Sequence, residues 1–481
     1  MKNRIYTALC LFIIALFSAC TKDFEEINTN PTAPVDAQPS LLLRQVIYNN
    51  ADEMSYEGFV AGNLLGQHFT MVDFNLFDRH NLAQPQLGGN PWPVLYTNLR
   101  DNEILLNKAR SADAFTVYEG PAMIMKAYLG GMLTDIYGDV PFFEAFSGKN
   151  GSVTPVYDSQ QSIYTANEGI LDLLRKGVAA IKNYRGSLAL QGDILYNGDL
   201  KAWERFGNSL LIKYLMRSSS KLSNEAELLT LFSEGNFIAT NSQNAVFNFT
   251  NGQPNNFRMA NLRSGDFNLY VMSETAEEIL NKYNDPRIGI FFREITNNPT
   301  GAITYAGLLN GPDATSTSIS IGDYSLAGTI FREETGKLDA NLMTAWETNF
   351  LLAEAADRGL ISGSAKAHYD VAVQQAFEYW GIAMPTDYLA IGAAAYGTNP
   401  LRQIAEQKWI ASSINGYESW IEYRRTGFPI LKTVSASLNG DLIPVRMPYP
   451  TSEQALNAEN YANAASSYNG NSVNAKTWWE N

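Results

Sequence analysis

Cysteine is nearly absent: two residues in 481, Cys10 and Cys20. So few thiols exclude a disulfide framework and any cysteine-based metal centre. Histidine is almost as scarce, and His68, His80 and His368 are not spaced with one another as metal ligands. Positive charge is also in deficit. Lysine and arginine number 35 against 49 acids, giving a formal charge of −14. That balance argues against nucleic acid and against a surface held to anionic lipid by basic patches. Beyond residue 20 no apolar run reaches the roughly eighteen residues of a membrane span. Catalytic signatures are missing too: there is no Gly-x-Ser-x-Gly elbow, no His-Glu-x-x-His and no phosphate loop. Glu277-Glu278 and Glu333-Glu334 are adjacent acids. Neighbours on a helix point apart, whereas glycosidic cleavage needs two carboxylates facing one bond.

What is present starts at the N-terminus. Lys2 and Arg4 precede an apolar segment over 8–17, which closes on Leu16-Phe17-Ser18-Ala19-Cys20. A basic start, a short apolar core and small residues before a cut site describe a secretory signal. Cysteine directly after Ala19 fits the lipoprotein version, with lipid on its sulfur and a further chain on its amine. Residues 1–19 are therefore expected to be a removed signal peptide, and Cys20 the lipid attachment site. A buried methylene contributes about 0.8 kcal/mol, and stable anchoring takes more than one chain. Residues 20–40 carry Asp23, Glu25 and Glu26 and then Pro31, Pro34 and Pro39, as an extended tether would. Residues 41–481 read as one domain.

Within that domain the period is helical. Helices are expected over 93–109, 118–137, 162–184, 200–218, 273–283, 342–358, 365–380 and 401–423. Over 118–137, for example, Ala122, Met125, Leu129, Met132 and Ile136 recur at spacings of three and four. The pair 342–358 and 365–380 alternates small with large residues, as tetratricopeptide-type helix pairs do. Stretches 237–249 and 296–329 are rich in Asn, Gly, Ser and Thr, and long irregular loops of this kind are usually functional. The fold class is all-α: a tetratricopeptide-like helix-pair scaffold with long irregular loops and minor β. Aromatics make up 12% of the chain against 17% charged residues. Flat rings can stack on sugar faces, although filling a large helical core accounts for most of them.

Several boxes, read in order, carry a resemblance. They are Asp23-Phe24-Glu25-Glu26-Ile27-Asn28-Thr29-Asn30-Pro31, Leu133-Thr134-Asp135-Ile136-Tyr137-Gly138-Asp139-Val140-Pro141, and Gly198-Asp199 with Trp203, Asn208 and Arg217. Asp285-Pro286-Arg287, 350–355, Gln407-Lys408-Trp409, Glu418-Ser419-Trp420, Arg424-Arg425-Thr426-Gly427 and Ile443-Pro444-Val445-Arg446 follow. Together they resemble the SusD/RagB-like outer-membrane lipoproteins of Bacteroidetes, and within them the starch-binding-associated SusD-like subfamily. The resemblance runs from Cys20 to about residue 461 and leaves the loops unmatched.

It implies a body of four tetratricopeptide-like pairs, with irregular excursions forming the ligand face. It implies a surface-exposed, lipid-anchored protein of the outer membrane that is not an enzyme. Such a protein captures oligosaccharide and delivers it to a partner SusC-like TonB-dependent transporter. A peptide-binding lid of the same architecture and a surface glycoside hydrolase are the alternatives. In the family, loops at two chain positions approach one another over the ligand. Here the first offers Phe74, Asn75, Phe77, Asp78, Asn81 and Trp92, and the second Tyr305, Asp323 and Tyr324. Asp73, Asp78 or Asp323 could supply oxygen to calcium, but nothing approaches an EF-hand spacing, so no cofactor is assigned.

The boxes themselves read as structural. Asp139 and Asp285 stand before prolines as turn formers. Arg217, Arg287, Arg424 and Arg425 are expected to pair with Glu354, Glu418 or Asp139, and Trp409 and Trp420 to lie in the core.

Overall fold

The computed structural model describes residues 37–83, 88–298, 301, 304–315, 318–397 and 399–480. The expected signal peptide, Cys20 and most of the tether lie outside these residues. The first helix, α1 (Pro39–Glu57), opens on proline, whose missing N–H costs nothing in a first turn. It buries Leu42, Leu43, Val46, Ile47, Ala51 and Met54 at helical spacing. It then runs on through a π-helical stretch, Gly58–Gly62, into Asn63–Leu65. The glycines here have a reason. A β-carbon on Gly62 would strike the backbone of Tyr417, and one on Gly416 would strike Asn63, so two helices meet backbone to backbone.

Residues 66–91 contain a short strand, β1 (Phe69–Met71), and lead to α2 (Trp92–Ser111) and α3 (Glu119–Tyr137). Helix α2 packs on both α1 and α3. The helix expected over 162–184 is broken into α4 (Gln160–Thr165) and α5 (Ile170–Asn183). The cause is Glu168, which takes the left-handed conformation at φ 60° and donates its N–H to the Asp172 carboxylate at 2.8 Å. Asp199 caps α6 (Leu200–Arg217) by accepting from the amides of Lys201 and Ala202, a bond of about 1 kcal/mol. Helix α5 packs against α3 and α6, and α7 (Glu225–Glu234) follows.

The minor β structure is two antiparallel pairs. Strand β2 (Ala245–Asn248) pairs with β4 (Asp339–Met343), and β1 pairs with β3 (Tyr270–Met272) in the register Phe69↔Met272. Helix α8 (Glu274–Lys282) starts on its Ser273 cap. Next come α9 (Ala345–Asp357) and α10 (Ala365–Tyr379), packed as a pair. Helix α9 begins three residues later than expected because Leu342 and Met343 belong to β4 and Thr344 is the cap. The helix expected over 401–423 is two, α11 (Pro400–Ala411) and α12 (Gly416–Thr426). The break between them brings Gly416 onto α1. Two short helices, α13 (Thr451–Leu456) and α14 (Ala458–Ser467), complete the order. Apolar side chains from α1 to Trp479 form one continuous core, in which Trp409 and Trp420 are buried as expected.

That core encloses charge. Lys213, Arg217, Lys408 and Arg425 interlock there with Asp135, Glu347, Glu354, Glu418 and Glu422, four cations against five carboxylates, and the exposed Arg358 reaches Glu354 from the surface. Burial opposes ionisation of Glu418, yet Arg217, Lys213 and Lys408 outweigh it and hold its carboxyl down to about 2. Two of the four expected arginine pairings therefore hold, those of Arg217 and Arg425. Arg287 instead pairs with Asp285, two residues away, and Arg424 with Glu480. Asp139 takes no arginine; its Oδ1 accepts from the Gln160 amide and the Tyr468 hydroxyl.

Candidate functional site

Three residues other than glycine hold positive φ within the first part of the α1–α2 connection: Gln67 at 53°, Phe74 at 50° and His80 at 66°. Each costs about 1–2 kcal/mol for an L residue and persists only where its surroundings fix it.

The fixing is visible at each one. Gln67 donates its side-chain amide to the Lys432 carbonyl at 2.7 Å, and its Oε1 accepts from the Lys432 amide at 2.8 Å and the Thr275 hydroxyl at 2.7 Å. The His68 ring lies flat on Trp409, centroids 3.9 Å apart and 8° from parallel, with Nε2 against Ser419 Oγ at 2.8 Å. Burial pushes the His68 pKa down to about 3 and that of His80 to about 4. Asp78 is buried and fully used. Its Oδ2 accepts from Thr70 Oγ1 and the amides of Met71 and Gly311, and its Oδ1 accepts from Asn310 Nδ2. Burial raises the Asp78 pKa against the pull of these bonds.

Asn75 donates to the carbonyls of Met71 and Pro312 at 3.1 and 2.6 Å. The Ser435 and Ala436 amides donate to the carbonyls of Asn310 and Gly311, and the Leu438 amide to that of Arg79. Segments 66–83, 304–315 and 432–438 are therefore one rigid unit. From it Phe74 projects, 61% exposed, its amide donating to Asp73 Oδ1 at 2.7 Å. No other aromatic ring among the described residues is as open.

The remaining expected site residues divide. Asn75, Phe77, Asp78 and Trp92 are buried, which corrects the expectation that they face a ligand. Asn75 and Asp78 spend their polar atoms inside the protein, and Phe77 lies under Gly89. Trp92 belongs to a separate aromatic group, edge-on to Tyr137 at 4.9 Å and near Tyr449 at 6.1 Å. Asn81 is partly buried. Tyr305 and Tyr324 are half-buried on neighbouring segments, joined by the Ser325 amide to the Ala306 carbonyl at 2.9 Å. Asp323 is exposed and accepts from Asn297 at 2.7 Å.

Residues that sequence reasoning passed over are Gln67, Asn310, Gly311 and the segment 432–438. Of these only Asn310-Gly311-Pro312-Asp313 left a mark in the sequence, as a turn cluster. Among the described residues no group of three or more His, Cys, Asp or Glu could hold a metal ion. The Asp78 carboxylate already accepts four hydrogen bonds from N–H and O–H groups. What the unit offers is a rigid aromatic face presented to water beside polar side chains.

A family model described as "Starch-binding associating with outer membrane" matches residues 31–450. Solved structures share the fold. A SusD homologue from Bacteroides fragilis is 20% identical at a TM-score of 0.80, with 92% of this chain and 100% of that chain covered. A chitin-binding protein is 25% identical at a TM-score of 0.78, covering 92% and 100%. A chitin-binding SusD homologue from Flavobacterium johnsoniae is 22% identical at 0.77, covering 92% and 98%. No curated protein matches the chain.

Proposed function

The chain belongs to the SusD-like family of starch-binding proteins that associate with the outer membrane, and we propose that it captures a nutrient glycan and passes it to a TonB-dependent transporter. The observation that carries the reading is Phe74, an open ring on a conformationally costly residue, in a loop held by the buried hydrogen bonds of Asn75 and Asp78. A preformed ring loses little entropy when a sugar face stacks on it. Two of the structural relatives are named as chitin-binding, and the family description names starch, so a β-linked N-acetylglucosamine polymer and an α-linked glucan are both candidate ligands.

Capture without cleavage suits the acids. Glu278 pairs with Lys432, Glu333 with Arg293 and Glu334 with Lys337, while Glu277 accepts from the Gly307 amide. None of these adjacent pairs faces a common cleft as a hydrolase requires. Lipid on Cys20 would hold the protein at the outer face, with residues 20–40 as the tether between anchor and body.

Calorimetry of the mature protein against maltohexaose and chitohexaose tests the reading. Saturable binding of either is expected. Failure of both, with binding of peptide instead, would transfer the site to the peptide-lid alternative. Purification from cells with a transporter subunit attached tests the partner.

A further inference from the structure

We infer a second saccharide subsite, separate from Phe74, in a pocket of about 200 Å³ between Leu82, Ala83, Gly89 and Asn90 on one side and residues 447–471 on the other. It lies at the α2 end of the same connection that carries Phe74.

The lining has a distinct chemistry. No described residue of the lining carries a formal charge, in a chain that has 84 charged side chains. Met447, Pro448 and Pro450 supply apolar walls, and Asn90 and Thr451 supply polar groups at the exposed rim. Tyr449 and Tyr461 meet edge to face, centroids 6.2 Å apart and planes at 71°.

Tyr449 is fixed from every side. Its hydroxyl donates to the Asp139 carbonyl at 2.7 Å and its amide to Asn471 Oδ1 at 2.9 Å. Behind its ring the guanidinium of Arg446 lies at 4.5 Å, with the ring of Tyr468 also stacked on that cation at 4.3 Å. Arg446 is fully buried and its N–H groups go to the carbonyls of Tyr137 and Ser472 and to Asn471. Among the described residues no carboxylate pairs with it. This buried cation props one wall of the pocket through its π contacts.

Tyr461 is free by comparison. It is partly exposed, and its hydroxyl only accepts one long bond, 3.5 Å, from Asn471 Nδ2. No described residue takes its proton, and the Asn90 side chain has no partner among them either. The pocket thus presents an aromatic ring, a hydroxyl donor and an amide, with no charge to desolvate. That is complementary to a neutral, hydroxyl-bearing ring: one hexose or N-acetylhexosamine unit. A cation or anion would find no counter-charge, and the volume is below the roughly 300 Å³ at which drug-sized pockets begin.

The ligand class rests on the proposed function; the location does not. The test is calorimetry with maltose and chitobiose on the wild-type chain, Phe74→Ala, Tyr461→Ala and the double variant. Two sites are expected in the wild type and one in Tyr461→Ala. A single wild-type site that Tyr461→Ala weakens about tenfold also supports the subsite, as one ligand reaching it. A single site unchanged in Tyr461→Ala but lost in Phe74→Ala overturns the subsite and leaves the glycan reading standing. No binding to wild type overturns both. If Tyr461→Ala fails to fold, Asn90→Arg fills the exposed rim instead, and unchanged binding there is equally fatal.

Discussion

Asp78 and Asn310 stand 232 residues apart in the chain and share a buried hydrogen bond of 2.8 Å. Through it the Phe74 loop and the 304–315 segment are held as one piece. Asp78→Ala strands four donors, at a cost of about 1–3 kcal/mol for a buried group left unpaired and more for several. A loss of about 3 kcal/mol in urea unfolding is expected, with faster amide exchange over 69–80. Equal exchange in variant and wild type would show that other bonds hold the loop.

Phe74 sets stability against function. Replacing it with glycine removes a left-handed phenylalanine and should raise stability by about 1 kcal/mol. The same change removes the exposed ring and should weaken oligosaccharide binding about tenfold or more. Phe74→Ala should lose the affinity without the gain in stability. Thermal melts and calorimetry on the two variants separate the effects.

Acid should destabilise the protein through its histidines. Folded His68 and His80 titrate at about 3 and about 4, below the 6.5 of a free histidine, so the unfolded chain binds more protons below pH 6.5. Their contribution is complete above pH 6.5 and is lost as the pH falls toward 4. A His68→Gln, His80→Gln double variant should show a shallower decline in unfolding free energy between pH 6.5 and 4.5, by about 2 kcal/mol for each histidine removed. Parallel curves for the variant and wild type would assign the decline to other groups.

The enclosed ion network should respond to the loss of one partner far more than a surface pair would. Glu418 accepts from Arg217 and pairs with Lys213 and Lys408. Glu418→Gln takes from Arg217, Lys213 and Lys408 the buried carboxylate they share, which costs about 3–5 kcal/mol. Replacing Lys213 with methionine in that variant should recover part of the loss, because the removed charges then balance. Denaturant unfolding of the single and double variants forms the cycle that measures it.

Helices with a strong apolar period were legible in the sequence, as α2, α3, α6 and α10 show. Breaks were less so, because they answer to contacts far away. Glu168 turns left-handed to meet Asp172, and α11 ends so that Gly416 can reach α1. At the candidate site, composition pointed to the right loop but not to the right side chains. Period-free loops give no inside or outside, so Phe77 and Trp92 looked no different from Phe74. Burial separates them: Phe77 lies under Gly89 and Trp92 packs on Tyr137 and the distant Tyr449, contacts that no local pattern reveals.

The backbone contact between Gly62 and Tyr417 joins chain positions separated by most of the protein's length. The first helix therefore waits for its partner until more than four hundred residues have been synthesised, and closure of the core is a late event. Until then α1 lacks the backbone partner against which its glycines are shaped, and the last quarter of the chain is needed to supply it.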